Sequence, residues 1–112
     1  MAQAESPQWE FLTKHAQVLV CVAGDPGIRL RDIGDRLGIT ERAAHRIVAQ
    51  LRAAGYLTRQ REGRRNHYTI AVNLPVPDGV AQERSIGDLL KILTDTPRAR
   101  RRRGGAAPAA MN

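Results

Sequence analysis

The chain has 112 residues, 18 Lys and Arg against 11 Asp and Glu (net charge +7), and one cysteine, Cys21. Its four aromatic residues are Trp9, Phe11, Tyr56 and Tyr68, so the expectation is one compact domain with a thin, mostly aliphatic core that a partner subunit would help to bury. An intrachain disulfide is excluded, no run of about 18 apolar residues could span a membrane, and the segment MAQAESPQWE lacks the basic and apolar regions of a signal peptide; a cytoplasmic protein is expected.

Residues 1–7 are expected to be disordered, ahead of a domain over residues 8–96. A first helix is predicted from about Pro7 to Ala23, stopped by the breaker cluster Gly24-Asp25-Pro26-Gly27. Its core stripe would be Phe11, Leu12, His15, Val18, Leu19 and Val22, with a second apolar strip through Trp9, Ala16, Val20 and Ala23. A helix apolar on two faces is usually buried on both. Ile28 to Leu30 could form a short strand. A second helix from about Leu30 to Leu37 buries Ile33 and Leu37, and Gly38 supplies the left-handed turn that ends it. Ile39 plugs the turn, and Thr40 is placed to cap a third helix running from about Glu41 to Ala54.

The third helix has a core stripe of Ala44, Ile47, Val48 and Leu51. Its opposite side carries Arg42, Arg46, Ala49 and Ala53, flanked by His45 and Gln50. The alanines permit close approach to a surface, and the arginines can reach phosphates or guanine edges. Gly55 stops this helix. Tyr56 to Arg59 and Asn66 to Ile70 then read as strands joined by a basic connection of about Gln60 to Arg65, with Gly63 in the turn. After a Pro- and Gly-interrupted connector, Asn73 to Gln82, Ser85 can cap a last helix of about Ile86 to Leu93 with Ile86, Leu89, Leu90 and Leu93 on one face; the first helix is its natural partner. From residue 97 the composition switches to a low-complexity basic tail, residues 97–112, expected to be disordered.

The charge is clustered. Residues 40–68 hold seven arginines against Glu41 and Glu62, the tail holds Arg98, Arg100, Arg101, Arg102 and Arg103 with no acid, and the remainder is mildly acidic. Such clustering favours a polyanionic partner. Two helices meeting at a Gly-containing turn, followed by a basic hairpin, are the pattern of a winged helix-turn-helix. The fold class expected is therefore α+β: a three-helix core with a small antiparallel wing, a C-terminal helix and a basic tail.

Leu37-Gly38-Ile39-Thr40 at the turn, then "L..AGYL.R...GR.N.Y" from Leu51 to Tyr68, resemble the winged-helix bacterial transcriptional regulators of the MarR and ArsR kind. The resemblance covers about 45 residues well. It implies operator binding on double-stranded DNA, usually as a homodimer, with the third helix in the major groove and the wing in or beside the minor groove. By that analogy Thr40, Glu41, Arg42, His45 and Arg46 would face the groove. Arg59, Arg61, Arg64, Arg65 and Asn66 would be wing contacts, with the tail arginines adding phosphate attraction. Trp9, Val20, Leu89, Leu90 and Leu93 are candidates for a dimer interface. The chain departs from the MarR pattern in its short flanking helices. It also lacks the clustered Cys or His ligands of metal-sensing ArsR proteins, so no metal is expected; an effector, if any, is unassigned.

His15 is expected to be a packed or hydrogen-bonded core histidine, and Cys21 an inert buried thiol. His45 falls on the groove-facing flank, and His67 beside the wing. No carboxylate pair, nucleophile–base arrangement, phosphate loop or metal cluster is visible, so neither an enzyme nor a cofactor is expected. Two other readings share the fold: a protein-interaction module docking on transcription machinery, and a non-specific nucleoid-associated or RNA-binding protein. Against RNA, no aromatic platform for stacking bases is apparent.

Overall fold

The computed structural model describes residues 8–94. The expected N-terminal segment 1–7 and the basic tail lie outside the described residues. Four helices and one antiparallel hairpin follow in the order α1 (Lys14–Gly24), α2 (Leu30–Leu37), α3 (Glu41–Ala53), β1 (Leu57–Glu62), β2 (Arg65–Ile70) and α4 (Ile86–Thr94). This is the expected α+β winged-helix arrangement, with α1 packed on α2, α3, α4 and β2.

The first helix begins later than its apolar stripe suggests. The Thr13 hydroxyl accepts from the Ala16 N–H at 3.1 Å and caps α1 there, leaving residues 8–13 outside the helix. A side-chain cap satisfies one of the orphan donors of a first turn and sets the boundary locally. Phe11 and Trp9 are consequently exposed, at 88% and 65%, rather than part of a helix face. His15 is exposed as well, and hydrogen-bonds through Nε2 to the Gln50 Oε1 of α3 at 2.7 Å. The core face of α1 is Val18, Leu19, Cys21 and Val22.

Ile28 to Leu30 form no strand. Ile28 is buried, but the segment meets β2 through the Tyr68 N–H on the Pro26 carbonyl (2.9 Å), and the Arg65 side chain takes the Gly27 carbonyl (2.6 Å) where a ladder would continue. The sheet therefore has two strands.

The helix pair forms as its pattern predicts. Ile33 and Leu37 are buried, Gly38 ends α2 at φ 73, and the Thr40 hydroxyl accepts from the Ala43 N–H at 3.0 Å to start α3. A requirement not visible in the pattern sits at Gly34, where a Cβ would lie 2.8 Å from the Ile39 carbonyl oxygen. Only the absence of a side chain lets α2 close this tightly on the turn. Downstream, the Tyr56 N–H bonds the Leu51 carbonyl (2.9 Å) around Gly55, closing the end of α3.

The hairpin is tighter than expected. Its strands pair from Leu57↔Ile70 to Glu62↔Arg65, which leaves Gly63-Arg64 as a two-residue loop. Gly63 has φ 62 and Arg64 has none of the positive φ found only at glycines, the φ pattern of a type II′ turn.

The connector caps α4. The Ile86 and Gly87 N–H groups donate to the Leu74 and Val72 carbonyls at 2.8 and 2.9 Å, and the Asp88 N–H donates to the Ser85 hydroxyl at 3.1 Å. Three donors that a helix start leaves open are thus occupied. Ile33, Leu57, Val18 and Val22 are the largest fully buried side chains, and among the described residues no charged or polar side chain is buried.

Candidate nucleic-acid interface

With Ala44, Ile47, Val48 and Leu51 committed to the core, helical periodicity turns Glu41, Arg42, His45, Arg46 and Ala49 outward, and all five are exposed. Thr40 is exposed at the head of the same helix with its hydroxyl engaged as the cap. Gln50 leaves this face, since its carbonyl is held by His15 of α1. The outward side of α3 therefore presents two arginines one turn apart, a histidine and a small residue.

The wing stands next to it in sequence and brings its own cations. Paired residues of an antiparallel ribbon share a face. Arg59, Arg61 and Asn66 thus lie on one side, through the pairs Arg59↔Tyr68 and Arg61↔Asn66, while Arg65 lies on the other beside Glu62. Arg64 occupies the tip. Arg61 donates from Nε to the Gly63 carbonyl at 3.3 Å, bracing the turn, and Arg65 is tied to Gly27. Two of the expected wing contacts therefore also have structural duties, each using one of the five donors a guanidinium offers. The ion pair found among the described residues is Lys14–Glu10, so within that set no arginine of α3 or the wing has a carboxylate within 4.0 Å. These cations are solvated and free to meet an anionic surface.

Sequence reading missed Arg29 and Arg31, which with Arg64, Arg65 and Asn66 line a groove between the start of α2 and the wing. They fall outside the dense basic block, and only the tertiary fold brings them to it.

The dimer candidates divide. Trp9 is exposed, its ring centroid 6.5 Å from that of Phe11; Val20 and Leu89 are partly buried against the core; Leu93 is half-buried; and Leu90, at 6% exposure, is already taken up by the chain's own core. Leu93 lines an apolar cavity of about 360 Å³ between α1, the end of α3, the connector and α4, with Phe11 and Leu12 at its rim. Ile92 is 75% exposed beside it in sequence. Cys21 is buried and unpaired. Among the described residues no three His, Cys, Asp or Glu side chains gather to hold a metal, and no helix is long and apolar enough to cross a membrane. Arg98 and Arg100 to Arg103 lie outside the described residues.

Residues 11–65 match the model of the MarR family. Over that segment the chain is similar to the MarR family of winged-helix regulators. The match supports the MarR side of the resemblance, and with it the class of DNA-binding transcriptional regulators rather than enzymes. Among solved structures, one that is similar is the crystal structure of the PcaV transcriptional regulator from Streptomyces coelicolor in complex with its natural ligand. It is 20% identical, with a TM-score of 0.47, over 88% of this chain and 78% of that one. No curated protein matches the sequence.

Proposed function

We propose that this chain is a sequence-specific regulator that binds double-stranded DNA in the cytoplasm as a homodimer. In this reading α3 enters the major groove and the wing lies on the minor groove or backbone. The observation that carries it is the outward face of α3, where Arg42, His45 and Arg46 stand exposed, with no acidic partner among the described residues, above a fully apolar core face. Arg42 and Arg46 supply base or phosphate contacts, Glu41 and Thr40 border the approach, and Arg59, Arg61, Arg64, Arg65 and Asn66 hold the flanking backbone. The tail arginines add counterion release without sequence information. Trp9, Val20, Leu89 and Leu93 join it to a second copy, so that two recognition helices would sit about 34 Å apart on one side of a pseudo-palindrome.

A fluorescence-anisotropy titration at three salt concentrations tests the reading. It compares DNA upstream of the protein's own gene, and duplexes enriched from a random pool, with a scrambled duplex of equal length. A preference of about a hundredfold or more that persists as salt rises is expected. Equal and steeply salt-dependent binding to all duplexes would replace it with a nucleoid role, and no binding to any would replace it with docking on a protein partner.

A further inference from the structure

The outward face of α3 and the wing are not the whole cationic surface. Arg29 and Arg31, from the start of α2, meet Arg64 and Arg65, from the wing, around one open groove of about 450 Å³. The two pairs are more than thirty residues apart in sequence, so the grouping is a product of the fold. Its walls are fixed: the Arg65 guanidinium donates to the Gly27 carbonyl at 2.6 Å, and the Tyr68 N–H donates to the Pro26 carbonyl at 2.9 Å. The wing is thereby moored to the turn that precedes α2, and the width of the groove does not depend on the hairpin's own stiffness. Four arginines face a single lining carboxylate, Glu41, and none forms an ion pair within 4.0 Å among the described residues. All four are exposed. Like charges lining one groove repel one another, and an anion seated among them relieves that repulsion. Glu41 places the groove at the N-terminal end of α3, so a duplex engaged by that helix would continue across it.

We propose that this groove seats backbone phosphates of DNA flanking the segment read by α3, and that Arg29 and Arg31 are affinity residues outside the recognition helix and wing. The inference rests on the DNA-binding reading above and extends it to a third contact region. A guanidinium presents a planar fork of donors, so one arginine can hold a phosphate oxygen pair while its neighbour takes the next phosphate along the strand. Phosphate contacts carry no base information. Their loss lowers affinity for every sequence alike and makes binding less sensitive to salt, by about 0.9 in log–log slope for each phosphate neutralised.

The test uses the full chain and its R29A/R31A variant, titrated by anisotropy at 50, 100 and 200 mM salt against a duplex enriched from a random pool and its scrambled counterpart. Both substitutions remove exposed side chains that make no hydrogen bond among the described residues, so circular dichroism and melting should be unchanged. For two phosphates the slope should become shallower by about 2 on both duplexes, shrinking the affinity drop across this salt range by about tenfold, with the ratio between duplexes unchanged. R29K/R31K should restore the slope. A wild-type slope for R29A/R31A, or a loss confined to the enriched duplex, would overturn the proposal. R42A/R46A run in parallel separates the two readings. If it abolishes preference while R29A/R31A behaves as wild type, only the groove fails. If the wild type shows no preference yet R29A/R31A still flattens the slope, the specific-regulator reading fails and the groove stands. If the wild type binds no duplex, both fail.

Discussion

Gly34→Ala separates helix propensity from packing, because the two predict opposite signs. Alanine in a helix interior is favoured over glycine by about 1 kcal/mol, so propensity alone makes this a stabilising substitution. At this position, however, the new Cβ would lie 2.8 Å from the Ile39 carbonyl oxygen and 3.3 Å from two Thr40 backbone atoms. These are main-chain atoms of the turn, with no flexible side chain to swing away. Relief requires α2 to move off the turn, which carries the Thr40 cap of α3 and the buried contacts of Ile33 and Leu37 with it. Overpacking of this kind costs about 1–3 kcal/mol, and a clash on backbone belongs at the upper end. The net expectation is destabilisation by about 1–2 kcal/mol, a fall in melting temperature of about 5–10 °C for a domain of this size. Urea denaturation followed by circular dichroism measures the first and a thermal melt the second. DNA affinity should fall further than the small unfolded population accounts for, since α3 is displaced relative to the wing. A Gly34→Ala protein more stable than the wild type would refute the reasoning, for it would mean that the turn yields without cost.

Three further outcomes follow from the interface. Arg46→Ala should relax discrimination at one base pair by about 1–3 kcal/mol if Arg46 reads a guanine edge; an equal loss on every duplex in a competition assay would make it a phosphate contact instead. Deleting the chain from Arg98 removes five arginines and should flatten the log–log salt dependence by up to about 4.5 on all duplexes, and an unchanged slope would remove the tail from the interface. Replacing the exposed Trp9 and Phe11 by serine should leave the melting temperature of the monomer fold unchanged while raising the dimer dissociation constant by at least about tenfold in sedimentation equilibrium; undisturbed self-association would place the dimer surface elsewhere.

The centre of the fold was legible because local signals agreed there. Ile33 and Leu37 in α2, Gly38 in the turn, Thr40 at the cap and the stripe Ala44, Ile47, Val48, Leu51 each specify the same geometry, and all take it up. At the first helix they conflict. Phe11 and Leu12 extend the apolar periodicity backward, but Thr13 caps the helix after them, and the cap prevails over a periodicity that has no core to face. Ile28 to Leu30 has β-compatible residues, yet a third strand needs open carbonyls opposite β2, and the Arg65 side chain takes that of Gly27. No linear pattern announces a side chain standing in for a ladder. The wing lies where its sequence pattern puts it but has a shorter loop, since Gly63 with positive φ permits a two-residue turn where the charge run suggests a longer one. Arg29 and Arg31 are invisible to a linear pattern for a related reason: counted along the chain they belong to a mildly acidic remainder, and their company is set by tertiary contact alone.

The chemistry of the molecule is polarised along α3. Glu41, at its start, borders the groove lined by Arg29, Arg31, Arg64 and Arg65, whereas Gln50, Leu51 and Ala54, at its end, line the apolar cavity beside Leu12 and Leu93. At 1.5 Å per residue, the two ends are about 20 Å apart, which is more than two Debye lengths at physiological ionic strength. An apolar contact made at the far end therefore changes little of the electrostatics felt by DNA at the near end. Communication between them must be mechanical, through the rigid body of α3 and its links to α1, which include the His15–Gln50 hydrogen bond. His15→Ala should consequently leave the salt slope of DNA binding untouched, because it removes no cation near the duplex. Any change it makes should fall on how well the two recognition helices of a dimer share one operator. A loss of affinity on a half-site duplex equal to that on the full palindrome would contradict this division, placing the effect within a single α3 rather than in the spacing between two.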